Sequence, residues 1–142
     1  MSEIKIRETL GVLIVIYHFG LIGALSYFWY TGGFSFDEFT TTLAILIPVL
    51  SGYVAGVVSY FSKKRFVRTD RSRMVSRVFI GLSIFFPSAL TLSVGFIMYS
   101  YAYGSVFSDF EQFKLTFAAI EGVFATYLAT TANSLFRTAP NN

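Results

Sequence analysis

Four stretches of this chain are almost free of charge. No Lys, Arg, Asp or Glu occurs over residues 9–36, 39–62 or 78–108, and residues 115–136 carry only Glu121. A hydrocarbon core of about 30 Å takes roughly 20 apolar residues of helix, so each stretch is long enough to cross once and too short to cross twice. Only 13% of the residues are charged and 54% are hydrophobic. A soluble domain of ordinary composition is about 25% charged, and this chain has too few charges to cover a water-facing surface. The expected fold is an all-α membrane protein, a single domain over residues 1–142 with four transmembrane helices near 9–30, 39–62, 76–103 and 114–136. The first helix follows Lys5 and Arg7 as a secretory signal would, but its apolar run is too long for one and three more spans follow, so it is read as retained.

The links agree with these divisions. Ser35 precedes Glu38 by three residues, and Ser108 precedes Glu111 by three. In that spacing the serine oxygen accepts from an amide in the first turn while the glutamate reaches back to the serine amide, which predicts helix starts at both places. Gly32, Gly33 and Gly104 supply turn backbone just before them.

Basic residues set the orientation, because Lys and Arg near span ends stay on the cytoplasmic side. Lys5, Arg7, Lys63, Lys64, Arg65, Arg68, Arg71, Arg73, Arg77 and Arg137 fall on one face and only Lys114 on the other. Ten against one predicts both termini and the 63–77 loop inside, in a bacterial inner (plasma) membrane. Tyr27, Trp29, Tyr30, Tyr99, Tyr101 and Tyr103 close spans one and three, where an outer aromatic belt is expected.

The two halves repeat an order of features at offsets of about 70 to 75 residues: Arg7 and Gly11 against Arg77 and Gly81, then Phe34–Ser35 against Phe107–Ser108. Two parallel helical hairpins inserted in the same sense would produce it. The membrane imposes much the same pattern on any two such hairpins, and that is the preferred reading.

Three intramembrane polar residues stand out as candidates, Glu121, His18 and Asn133. Glu121 is the sharpest, since an intramembrane carboxylate is a functional hypothesis by default. Counted from Leu115, it lies about 9 Å below the outer boundary, either facing a cavity as a proton- or cation-binding group or hydrogen-bonded in a helix contact. His18, the sole histidine, is estimated about 9 Å from Glu121 in depth, which favours a local carbonyl or tyrosine partner over a direct pair. Asn133 can bond between helices.

Small residues recur on span four at Ala118, Gly122, Ala125 and Ala129, and on span two at Gly52 and Gly56. They predict close helix packing first and an oligomer face second. Pro48 and Pro87 interrupt spans two and three as kinks or hinges. The 63–77 loop, with seven basic residues opposed by Asp70 alone, would attract anionic headgroups at about 1 kcal/mol per residue. A cytoplasmic protein is the sharper partner for it and nucleic acid a remoter one.

One histidine, one intramembrane acid and no cysteine leave too little for a triad or a metal site, and no phosphate-binding glycine loop occurs. No catalytic residue, metal or cofactor is expected. The leading expectation is a non-enzymatic, homo-oligomeric membrane anchor, sensor or pore-forming subunit that engages lipid or a cytoplasmic partner through its basic loop. The alternative is a small proton- or cation-coupled transporter or channel using Glu121.

Overall fold

The computed structural model of the protein describes residues 3–64, 77–104 and 106–136, and within the helices it describes the side chains of 8–49, 51–52, 80–127 except 105, and 129–130. Those residues form four helices and no strand: α1 (Glu3–Tyr30), α2 (Phe36–Lys64), α3 (Arg77–Tyr103) and α4 (Phe110–Phe136). The segments Glu8–Tyr30 and Ile80–Tyr103 of α1 and α3 are long and apolar enough to cross a membrane.

The helix ends follow from local chemistry. At the end of α1, Gly32 takes φ +82°, its N–H donates to Trp29 O at 3.0 Å, and the Gly33 N–H donates to Phe28 O at 2.8 Å. A left-handed residue is needed to turn these amides back onto the last carbonyls, and glycine adopts it without a Cβ penalty. A Cβ at Gly33 would lie 2.6 Å from the Ala102 Cβ, so the turn sits hard against the end of α3. At the start of α2, the Ser35 N–H donates to Glu38 Oε2 at 2.7 Å and the Glu38 N–H to Ser35 Oγ at 3.3 Å, the reciprocal pair that the spacing predicts.

The start of α4 differs from expectation. Ser108 and Glu111 do not pair; Asp109 Oδ1 accepts from the Gln112 N–H at 2.9 Å, and Gln112 Oε1 accepts from the Ser108 N–H at 3.3 Å. Glu111 instead holds the Lys114 ammonium at 2.6 Å. The helix begins at Phe110, which makes Asp109 the cap and puts Gln112 at the third position.

α1 packs on α2 and α3, and α4 packs on the same two helices, so α1 and α4 face each other across the bundle. The Tyr17 and Ser88 hydroxyls lie 2.9 Å apart, and one link further up Thr31 bonds Tyr103. These contacts place α1 and α3 side by side in one direction, with both short links at one end of the bundle, here the link end. The opposite end, where α2 stops and α3 starts, is the loop end.

Large apolar side chains face outward along the described helices, and two ionisable ones face inward into a core that is otherwise mostly Leu, Phe, Ile, Val and Met. Phe19, Phe85, Leu92, Phe96, Leu115 and Val123 are exposed, Leu92 at 73%, while His18 and Glu121 are buried. Outward hydroxyls bond their own helix four residues back: Ser51 to Ile47 O at 2.7 Å, Ser93 to Ala89 O at 2.9 Å and Thr126 to Gly122 O at 2.9 Å. Donors satisfied in this way suit a surface without water to bond.

Candidate functional site

Burial runs in one stripe along each of α1 and α4. Leu10, Ile14, His18, Leu21 and Leu25 are buried on α1, and Phe113, Phe117, Glu121 and Phe124 on α4, all at steps of three and four residues. Because these helices are diagonal, the stripes meet at the bundle axis. There the His18 ring stacks on Phe124, with centroids 5.0 Å apart and planes 13° apart.

His18 is fully buried, at 0% exposure, and Glu121 at 2%. His18 Nδ1 lies 3.0 Å from Ile14 O. A carbonyl only accepts, so Nδ1 carries the hydrogen and Nε2 of the neutral ring is left as an acceptor. His18 Nε2, both carboxyl oxygens of Glu121 and Thr91 Oγ1 are buried with no hydrogen-bond partner from the protein. Buried polar atoms are nearly always paired, so four orphan atoms on three helices mark this core as unusual.

These groups share one layer. His18 is twelve residues before the end of α1, Thr91 twelve before the end of α3 and Glu121 eleven after the start of α4. At about 1.5 Å per residue each lies roughly 17 Å from the link end. The depth difference expected between His18 and Glu121 is therefore absent. It came from counting the depth of Glu121 from Leu115, five residues after the helix start at Phe110.

Polar contacts continue toward the loop end. Pro87 has no N–H, so the Ser83 carbonyl four residues earlier loses its helical donor. The Tyr127 hydroxyl of α4 replaces it at 3.0 Å, and next to Pro87 Ser88 meets Tyr17 of α1. Both neighbouring helices pin the break, which is buried; Pro48 is exposed.

Toward the link end the core is closed by Leu25, Leu46, Val94, Met98, Phe113 and Phe117. Above them Tyr101 packs against Phe34 at 4.9 Å and Phe113 at 4.6 Å, and its hydroxyl donates to Glu38. Burial pushes the Glu38 carboxyl up, but the hydrogen bonds from Tyr101 and Ser35 outweigh it and hold Glu38 below its ordinary value. Tyr101 thus joins helices, whereas Tyr27, Trp29, Tyr30, Tyr99 and Tyr103 are exposed as belt residues would be.

The small residues of α4 do not pack inside the bundle. Ala118, Gly122 and Ala129 are exposed and Ala125 is half-buried, one position round the helix from the stripe that meets His18. Gly52 is also exposed, and a Cβ at Gly52 or Gly122 would touch nothing within 4 Å. The surroundings of Gly56, Asn133, Lys63, Lys64 and Arg77 lie outside the described residues, as do Arg65, Arg68, Arg71 and Arg73 altogether.

Thr91, Phe124 and Tyr127 are the site residues that inspection for charge passes over. The spacing of Phe117, Glu121 and Phe124, and of Ile14, His18 and Leu21, carries the signal that would have found the shared interior face. Comparison with protein-family models, curated proteins and solved structures finds no match.

Proposed function

We propose that this chain is a non-enzymatic four-span membrane protein that takes up and releases a proton or small cation at Glu121, acting as a small coupled transporter or channel. The observation that carries this reading is the Glu121 carboxyl, 2% exposed with neither oxygen paired, in a bundle whose outer surface is apolar. A bare carboxylate there is strongly disfavoured, so its charge is matched by something that arrives and leaves.

The direction of the helices supports a reading of four spans. α1 and α3 carry the membrane-length apolar segments and run the same way; two parallel crossings require α2 to return the chain between them. α4 packs beside α3 with the same length as α3. The basic asymmetry orients the bundle with the loop end in the cytoplasm, where the seven basic residues of the 63–77 loop would meet anionic headgroups or an acidic protein face.

Homo-oligomeric assembly as an anchor or pore-forming unit has one observation in its favour. Ala119, Gly122, Val123, Thr126, Tyr127 and Thr130 line an outward groove of ≈ 530 Å³ on α4, and close-packed helices of neighbouring copies use faces of this kind.

The test is flux. Full-length chain in liposomes is expected to dissipate an imposed pH gradient, and Glu121→Gln to fall to the rate of empty vesicles. Equal rates for both proteins would remove Glu121 from any transport role.

A further inference from the structure

The orphan atoms of the core are chemically complementary. With Nδ1–H donated to Ile14 O, His18 presents an unpaired acceptor at Nε2. Glu121, as the neutral acid, presents an O–H donor from a side chain with three rotatable bonds. Phe124, one turn from Glu121 on the same helix, already touches the imidazole face. Both groups lie on the facing buried stripes of α1 and α4, each roughly 17 Å from the link end.

We propose that Glu121 and His18 hold one exchangeable proton between them, with Glu121 oxygen as the donor and His18 Nε2 as the acceptor, so that the species bound at this site is a proton. The inference rests on the reading of Glu121 as the group that binds and releases. Transfer breaks the Glu121 O–H bond and forms His18 Nε2–H, converting a neutral acid and neutral base into an ion pair of zero net charge. Only loss of the proton to water leaves a net charge in the core, which is the costly step in a low-dielectric interior.

A metal ion fits the donor set less well. Among the described residues no three His, Asp or Glu side chains group as metal ligands. The layer offers two carboxyl oxygens, one imidazole nitrogen and Thr91 Oγ1, whereas hard cations take about six or more oxygens.

Among the described residues, the other titratable and polar groups near the pair are engaged elsewhere. On α1, Tyr17 bonds Ser88, and on α4, Tyr127 donates to Ser83 O. The polar residues that α3 brings to the layer are hydroxyls, Thr91 and Ser88, beside apolar Leu90. From α2 the described neighbours are apolar, Leu46 and Val49, with Thr42 donating to its own helix at Glu38 O.

Because His18 is the sole histidine, nitrogen NMR of ¹⁵N-histidine-labelled chain in lipid bilayers reads this site alone. The Glu121 carboxyl ¹³C signal is assigned by its absence in Glu121→Gln. The expected result is a ring protonated at Nδ1, an Nε2 signal of a hydrogen-bonded acceptor, and a single pH midpoint common to His18 nitrogen and Glu121 carbon. In Glu121→Gln the His18 midpoint is expected to move by about one pH unit or more, the mark of coupled groups. A ring protonated at Nε2, or independent midpoints in the wild-type chain, would overturn the proposal without recourse to any variant. Flux lost in Glu121→Gln with an unmoved His18 signal would leave Glu121 as the binding group and remove His18. Coupled midpoints with unchanged flux would sink transport and leave the pair standing.

Discussion

At the scale of single residues, the core of this bundle departs from what stability alone would select. An unsatisfied buried polar group costs about 1–3 kcal/mol. Glu121 carries two such oxygens among Phe117, Phe124 and Ile120. Glu121→Met together with His18→Leu replaces both members of the proposed pair by apolar groups of similar size, so the double variant is expected to raise stability by about 1–3 kcal/mol. Thermal unfolding in mild detergent measures this; a lowered midpoint would mean that the two residues serve packing. At the link end the balance is reversed, because Glu38 is fully engaged. Its carboxyl is held below the ordinary 4.5 by Tyr101 and Ser35, against burial. A lowered folded-state value contributes stability that is fully present above about pH 4.5 and is lost as the pH falls through the lowered value. Tyr101→Phe is therefore expected to destabilise the chain by about 1 kcal/mol at neutral pH, less than a buried hydrogen bond to a charged group contributes because Glu38 is only half-buried. That deficit should shrink in melts recorded below pH 4.5. Charge made Glu121 legible in the sequence. Tyr101 was not, since five other aromatic residues near the same helix ends do face outward and only packing separates it from them.

At the scale of elements, the number and type of helices are written in the charge-free stretches, because a helix surrounded by lipid has no use for charge along its length. Boundaries are written less clearly. Before α4 two capping frames overlap, Ser108 with Glu111 and Asp109 with Gln112. Composition cannot choose between them, but they differ by one residue, about 1.5 Å; the larger misplacement of Glu121 against His18 came from counting its depth from Leu115, five residues after Phe110. The observed frame predicts that Asp109→Ala costs about 1 kcal/mol through the lost cap. Glu111→Ala removes only an exposed ion pair with Lys114 and is expected to stay within about 0.5 kcal/mol. Equal losses in urea or thermal melts would contradict the assignment. The small-residue stripe of α4 was equally legible as a stripe, yet spacing alone does not say which way it faces. That depends on where α2 and α3 lie around α4, a fact of assembly that no single helix contains.

At the scale of the molecule, the question that decides the rest is how many times the chain crosses. If only α1 and α3 crossed, with the N-terminus inside, the link after α1 and the whole 63–77 loop would be outside and the link after α3 inside. If all four cross, both links are outside and the loop is inside, as two hairpins packed in one direction require. The chain has no cysteine, so single cysteines can be introduced without removing any. Thr31 and Ser108 are exposed in the two links, and Thr69 lies in the loop sequence. With a membrane-impermeant maleimide on intact cells, Thr31→Cys and Ser108→Cys are expected to label from outside and Thr69→Cys only after permeabilisation. Two crossings would exchange the behaviour of Ser108→Cys and Thr69→Cys while leaving Thr31→Cys unchanged, so the pair distinguishes the topologies on its own. The outcome also fixes the setting of the core. With four crossings, Glu121 and His18 lie near mid-membrane behind the aromatic closure of the outer end, and the tyrosine and serine contacts around Pro87 lie on the cytoplasmic side of them, so proton exchange is expected through the side that carries the basic loop.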